Sequence, residues 1–452
     1  MLFDFAELDI NDKGNLYTAL YQKILNAVDV GAIKKGEKLP SVREAANLLG
    51  VSRTTVENAY NRLCIEGIAE SMPQRGYYIT GFKNKTETDK KKTVSEKSFK
   101  YDFSSRKIDE NAADVQNWKK MVRQVLWDSG ELTSYGDNQG EEGLRQALAA
   151  YSYKARGVKT SADNIVIGAG IGPLLNILCA IIGRDITVGF ENFGFEKAKS
   201  VFLDFGIKCV TLPSDNNGAK IGALYESGAD VLFLMPSALS KISVTALSKR
   251  RNEYAEWAQK DRKLIIEDDY NGELRYTART VPAFQSKALD NTVYIGSFSK
   301  LLLPSVRIAY MVLPESLLEK FKSRRSDFNQ TCGKIEQLAL KEYIQSGALE
   351  KHLRRLRRLY YNKSQVLIGC LENAISSFKA VTLYESSLAV ELETTLNRDS
   401  SEICRTAQRA GLRLMKSPYK GCVRLSFAGI AESEIPFAVE ELQKILKSLE
   451  IS

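Results

Sequence analysis

Apolar residues along positions 16–30 recur at helical spacing, with Leu16, Leu20, Ile24 and Ala27 on one face. A short second helix is predicted up to Leu49. Ser41 stands at its N-cap, Glu44 sits at capping-box spacing, and Gly50 ends it. Ser52 caps a third helix, Arg53 to about Glu66, with Val56, Ala59, Tyr60 and Leu63 facing inward. Gly67-Ile68-Ala69-Glu70 and Gly76-Tyr77-Tyr78-Ile79 then read as a hairpin with Met72-Pro73-Gln74-Arg75 at its tip. Two short helices around a glycine turn make a helix-turn-helix, and the hairpin is its wing.

The pattern breaks after Gly81. From Phe82 to Lys100 the chain is polar and nearly free of apolar residues, so it cannot bury a core. We expect a flexible linker over 82–104, between an N-terminal domain at 1–81 and a larger domain at 105–452. In the larger domain, continuous apolar runs alternate with helical patterns. The runs are Asn164–Ile167, Ile186–Phe190, Val231–Leu234, Lys263–Glu267 and Thr292–Ile295. Such strands predict a largely parallel sheet covered on both faces. From about residue 330 the pattern turns to long basic helices, notably Glu350–Asn373. Strands at Ser387–Leu392 and Val423–Phe427 then close a small α+β subdomain over about 330–452.

Composition narrows the classes. At 452 residues the chain exceeds one ordinary core, and 44% hydrophobic with 26% charged residues fits a globular protein. No apolar run approaches the roughly 20 residues of a membrane span, and Asp4 stands where a signal peptide carries base. The seven cysteines lack metal-type spacing, which fits a reducing cytoplasm. A single histidine, His352, excludes histidine-rich zinc sites, and no metal is expected. The net charge of +9 permits contact with nucleic acid.

The third helix carries Ser52, Arg53, Thr54, Thr55 and Asn58 at its start, where side chains reach base edges in a major groove. Arg75 at the wing tip suits phosphate or the minor groove. Residues 16–79 resemble the winged helix-turn-helix of GntR-type bacterial regulators. That resemblance implies DNA contacts at Ser41, Arg43, Ser52, Arg53, Thr54, Thr55, Arg75 and Gly76, and a double-stranded operator as partner.

Farther along, the strand Lys263–Glu267 is followed by Asp268-Asp269-Tyr270, and Thr292–Gly296 by Ser297-Phe298-Ser299-Lys300. If these strands are parallel, Asp268, Tyr270 and Lys300 meet at the carboxyl edge of the sheet, where α/β proteins bind ligands. A lysine that forms a Schiff base needs an aldehyde partner. Pyridoxal 5'-phosphate (PLP) supplies one if a carboxylate keeps its ring nitrogen protonated and a phenol bonds its ring oxygen. Gly168-Ala169-Gly170-Ile171-Gly172 opens a helix after a strand and suits the phosphate, to which Arg307 adds a bidentate contact.

In this order the motifs resemble fold-type I aminotransferases over Tyr101–Ile451, and the whole chain resembles the MocR/GabR regulators. The stretches that carry it are Tyr135–Gly140 with Leu144-Arg145, Ile266–Tyr276, Gly296–Arg307 and His352–Tyr360. The resemblance implies a winged-helix domain joined to an α/β fold-type I PLP-dependent aminotransferase-like domain. Lys300 would form the Schiff base, Asp268 would pair the ring nitrogen and Tyr270 the ring oxygen. Phe195 would stack on the ring. Ala169, Gly170, Ser297, Ser299 and Arg307 would hold the phosphate. Arg424 matches an arginine that clamps a substrate carboxylate, and Lys197 stands where the GABA-responsive member has an effector-binding arginine. Tyr135 would reach a partner subunit's site in a head-to-tail homodimer.

Two stretches depart from the family. Ala169-Gly170-Ile171-Gly172 replaces Ser-Gly-Ala-Gln, and Pro236–Ser243 replaces Pro-Ser-His-Gln-Phe-Pro-Thr-Gly, with loss of polar groups. The expected function is a cytoplasmic transcriptional regulator that senses an amino compound or PLP without turnover. The alternative is a working aminotransferase with an accessory DNA module.

Overall fold

The structure, a computed structural model, describes residues 16–80, 99–104, 107–127, 129–191, 196–215, 217–236, 244–276, 282–374, 378–384, 388–417 and 419–451. Contacts divide the chain into two units, Met1–Lys97 and Ser98–Ser452.

The N-terminal unit packs three helices, α1 (Leu16–Asp29), α2 (Val42–Leu49) and α3 (Arg53–Ile65), against a hairpin of β1 (Ala69–Met72) and β2 (Gly76–Ile79). Its core draws Leu20 and Ile24 from α1, Ala45 and Leu49 from α2, and Val56, Tyr60 and Leu63 from α3. Leu16, expected inward, is exposed in the first turn of α1. The capping box forms: Ser41 N–H donates to Glu44 at 2.9 Å, and Glu44 N–H donates to Ser41 Oγ at 3.2 Å. Gly50 ends α2 at φ 64°. The first wing strand begins two residues later than expected, because Gly67 turns at φ 70° after α3. The wing turn needs Gln74 at φ 62° and Gly76 at φ 101°, a region that favours glycine.

The larger unit is built on a seven-stranded sheet. Its strands are β4 (Ile165–Gly168), β5 (Thr187–Glu191), β6 (Lys208–Leu212), β7 (Val231–Leu234), β8 (Leu264–Asp268), β9 (Thr292–Ser297) and β10 (Ala309–Val312). The spatial order is β4-β10-β9-β8-β7-β5-β6. Strand β10, absent from the sequence expectation, runs antiparallel to both β9 and β4. It follows β9 without a crossover helix, which an antiparallel neighbour allows. A four-stranded sheet, which includes Phe378–Tyr384, Ala389–Thr394 and Cys422–Ser426, forms the C-terminal part. One apolar cluster runs from Phe103 through Leu144 and Phe298 to Leu446 and joins both parts.

The expected linker ends too late at residue 104. The strand β3 (Tyr101–Asp102) pairs in parallel with Leu412–Arg413, and Phe103 is completely buried. Apolar residues at Phe99, Tyr101 and Phe103 give this stretch a hydrophobic anchor.

Candidate functional sites

In the N-terminal unit, Ser41, Arg43, Ser52, Arg53, Thr54 and Arg75 are exposed, while Thr55 and Gly76 are half-buried. Ser52 Oγ accepts Thr55 N–H at 3.1 Å and lies 2.8 Å from the Thr55 hydroxyl, so both side chains also cap α3. Among the described residues, Arg43, Arg53 and Arg75 form no ion pair, and Glu44 serves the Ser41 cap rather than Arg43. These guanidiniums are placed for an external anion. Sequence reading missed Lys38. It bridges to Tyr78 on the wing, and its Cε would lie 3.2 Å from a Cβ at Gly76.

In the larger unit the predicted residues gather at the carboxyl ends of the central strands. Asp268 ends β8 and lies opposite Ile295 in β9, two residues before Ser297. Ser297, Ala309 and Gly168 stand in one row across β9, β10 and β4. Strands about 4.8 Å apart therefore bring the Ser297–Lys300 loop and the Gly168–Gly170 turn to one edge.

Burial and then the carboxylates of Asp269 and Glu267 push the Asp268 carboxyl up to about 7. Desolvation is the first cause, and the named charged neighbours are themselves acids, so a cation beside Asp268 would be favoured. Burial raises the Tyr270 phenol to about 12. Lys300 is buried, and desolvation lowers its ammonium to about 8, partly opposed by Asp102. Its Nζ donates to the Lys107 carbonyl at 3.1 Å.

Around Gly170 lies a cup. Gly170 has φ 93° and precedes the helix Ile171–Ile182 without a side-chain cap. A Cβ there would meet Arg307 Nη2 at 2.6 Å. Arg307 donates to Ser299 Oγ at 3.2 Å, and Ser299 N–H donates to Ser297 Oγ at 3.3 Å. An open helix N-terminus, an arginine and two hydroxyls suit a phosphate. The Ala169 N–H donates to Thr331 Oγ1 at 3.0 Å, which brings a hydroxyl beside the turn. No local sequence signal marks Thr331.

The effector residues are not gathered in the same way. Arg424 donates to Glu391 at 3.0 Å and stacks over Tyr384 at 4.5 Å, so its guanidinium is held in an ion pair in this structure. Glu391 stands directly across from Arg424 in the sheet register. Lys197 is exposed on the helix Glu196–Asp204, and Tyr135 is wholly exposed. Phe195 and the stretch 237–243 lie outside the described residues.

The motif at Tyr135–Arg145 includes a structural brace. Arg145 donates to the carbonyls of Gly140 and Ala162, and Gln139 to those of Asp163 and Ile165. Asp269, beside Asp268, takes the buried Arg156 at 2.6 and 3.1 Å and the Tyr294 hydroxyl at 3.0 Å.

The two units thus define a winged helix-turn-helix joined to an α/β fold that presents a strand-end lysine, a buried acid and an anion cup. Residues 16–79 match the model of the bacterial regulatory proteins of the gntR family, and 101–442 match that of aminotransferase class I and II. The chain is 33% identical to the HTH-type transcriptional regulator YdeL of Bacillus subtilis, over 96% of this chain and 97% of that one. It is 25% identical to a probable rhizopine catabolism regulatory protein, MocR, of Rhizobium meliloti, over 97% and 95%. An archaeal alanine:glyoxylate aminotransferase shares the fold at a TM-score of 0.68 and 24% identity, over 77% of this chain and 91% of that one. The chain belongs to the GntR-family transcriptional regulators of the MocR type, which carry a class I and II aminotransferase domain.

Proposed function

We propose that the aminotransferase-like unit binds PLP and senses an amino compound or PLP itself, and that occupancy sets DNA binding by the winged helix. The observation that carries this reading is the cup at Gly170, where Arg307 occupies the space a Cβ would fill. Ser297, Ser299, Gly170 and Arg307 would hold the phosphate. Asp268, surrounded by acids, would gain a partner in a protonated ring nitrogen. Tyr270 would bond the ring oxygen. Lys300, lowered to about 8, is an amine in about a tenth of molecules at pH 7 and more above it, far more than an ordinary lysine, and so can meet the aldehyde. When bound, the cofactor supplies an electrophilic carbon and an electron sink.

Sensing is favoured over turnover by Arg424, whose guanidinium is held by Glu391 and so is not poised for a substrate carboxylate. A head-to-tail homodimer is part of the reading, with Tyr135 contributed to the partner's site. Tyr135 and Trp127 are almost wholly exposed, aromatic side chains that a second copy would cover. With a DNA-reading module, the protein would act in the cytoplasm.

The test is spectroscopic. PLP added to the purified protein should develop a shifted visible band that Lys300→Ala abolishes. Arg53→Ala should weaken binding to a DNA fragment selected on the wild type and leave the band intact. Titrating amines should perturb the band without release of keto acid. Stoichiometric keto acid would favour the aminotransferase reading, and a protein that stays colourless would overturn PLP binding.

A further inference from the structure

Residues 81–98 join the two units covalently, and the first described residues beyond them run along the C-terminal subdomain. The Arg413 guanidinium lies 4.0 Å from the Phe99 ring centre. Lys100 N–H donates to the Gly411 carbonyl at 2.8 Å, and Tyr101–Asp102 pair with Leu412–Arg413. The Asp102 carboxylate holds Arg413 at 3.1 Å. Ser426 N–H donates to the Phe103 carbonyl at 2.8 Å, and Asp109 N–H to that of Ala428 at 2.7 Å. The Asp109 side chain takes the fully buried Lys363 at 2.8 Å. These attachments fasten Phe99–Phe103 and Asp109 to C-terminal elements.

Lys107 makes a different bond. Its carbonyl accepts from Lys300 Nζ, which belongs to the loop after β9 of the seven-stranded sheet. This hydrogen bond ties the segment that leads to the DNA-binding unit to the lysine at the strand edge.

We propose that the Lys300–Lys107 hydrogen bond is a latch: as an amine, Lys300 holds the Phe99–Asp109 segment to the large sheet, and engaged by an aldehyde it lets that segment go. The inference rests on the reading that Lys300 is the aldehyde-reactive lysine. Its chemistry is simple. When Nζ condenses with an aldehyde, a C=N bond forms and the carbonyl oxygen leaves as water with two hydrogens of the amine. The nitrogen then carries at most one N–H, fixed in the plane of the double bond, where the amine had two or three that rotate. An amino compound that takes over the aldehyde returns two hydrogens to Nζ and restores the donor. The state of one nitrogen is thereby written into the attachment of the chain that continues to the winged helix.

Hydrogen exchange on the full-length protein tests the latch. Amides within 99–109 should exchange about fivefold faster with PLP than without it, the effect of losing one ordinary hydrogen bond. Pyridoxine 5'-phosphate, which has the phosphate and ring but no aldehyde, should leave them protected. Lys300→Met without any cofactor should show the fast exchange, with no further increase on adding PLP. Lys363→Met should loosen the Asp109 end and still respond to PLP. A visible band with unchanged exchange at 99–109 would overturn the latch and leave PLP binding standing. Equal loosening by pyridoxine 5'-phosphate would overturn it too. If no band develops, the PLP reading fails, and the cofactor-free comparison of Lys300→Met with wild type still decides whether the bond holds the segment.

Discussion

Asp268 and Asp269 are neighbours in sequence and opposites in environment. Asp269 sits against Arg156 and Tyr294, whereas Asp268 has burial and other acids around it. Replacing Asp269 by Asn removes the carboxylate that takes the buried Arg156, and about 3–5 kcal/mol of stability should be lost in urea unfolding. Asp268→Asn should do the reverse. The raised Asp268 keeps a proton in the folded chain that the unfolded chain has lost between about pH 4 and pH 7. The folded state therefore loses stability as pH rises through that window. Without cofactor, Asp268→Asn should flatten the decline and be more stable than wild type at pH 8, by on the order of 2–4 kcal/mol. A variant with an unchanged pH profile would remove the case for an uncompensated acid. The sequence placed both acids at a strand end. It did not show Arg156, more than a hundred positions away, that distinguishes them. The same holds for Arg424, whose partner Glu391 is visible only through strand register.

Local elements were the most legible. The capping box at Ser41 and Glu44, the Gly50 stop and the Ser52 cap depend on contacts within four residues, so the residues alone specify them. Ser41→Ala should cost about 1 kcal/mol in the melting of the N-terminal unit. Strand β10 was not legible, since its place depends on pairing with β9 and β4 rather than on a local pattern. The turn at Gly170 belongs to this scale. Gly170→Ala must adopt φ 93° and displace Arg307, an exposed side chain that can swing away. The variant should fold with a penalty of about 1–2 kcal/mol, while its PLP affinity, followed by the visible band, should fall at least tenfold. Unchanged affinity would mean that the turn does not hold the phosphate. On the wing, Arg75→Ala should weaken binding to all DNA sequences alike and reduce the salt slope by about 1. Arg53→Ala should cost about 1–3 kcal/mol and relax preference at one position.

At the scale of the whole molecule, each unit has a core of its own, where the chain carries a polar run from Phe82 to Lys100 and a linker was expected over 82–104. What the sequence did not show is that Phe99–Phe103 already belongs to the second unit, since three alternating apolar residues are too short a signal on their own. The boundary can be tested by dividing the chain. A fragment of residues 1–80 should melt cooperatively and bind the selected DNA without any response to PLP. It should bind more weakly than the full chain if the second unit dimerises, because two linked modules raise the effective concentration at paired half-sites. A fragment of 98–452 should keep the PLP band and bind no DNA. A fragment of 105–452 lacks Phe103, buried beside Arg413 and Ser426, and should be less stable by several kcal/mol, as for the removal of any large core aromatic. Equal stability of the two larger fragments would mean that Phe99–Ser104 is a passive tether. The measured difference is therefore a direct reading of how firmly the connection from the winged helix is built into the second unit.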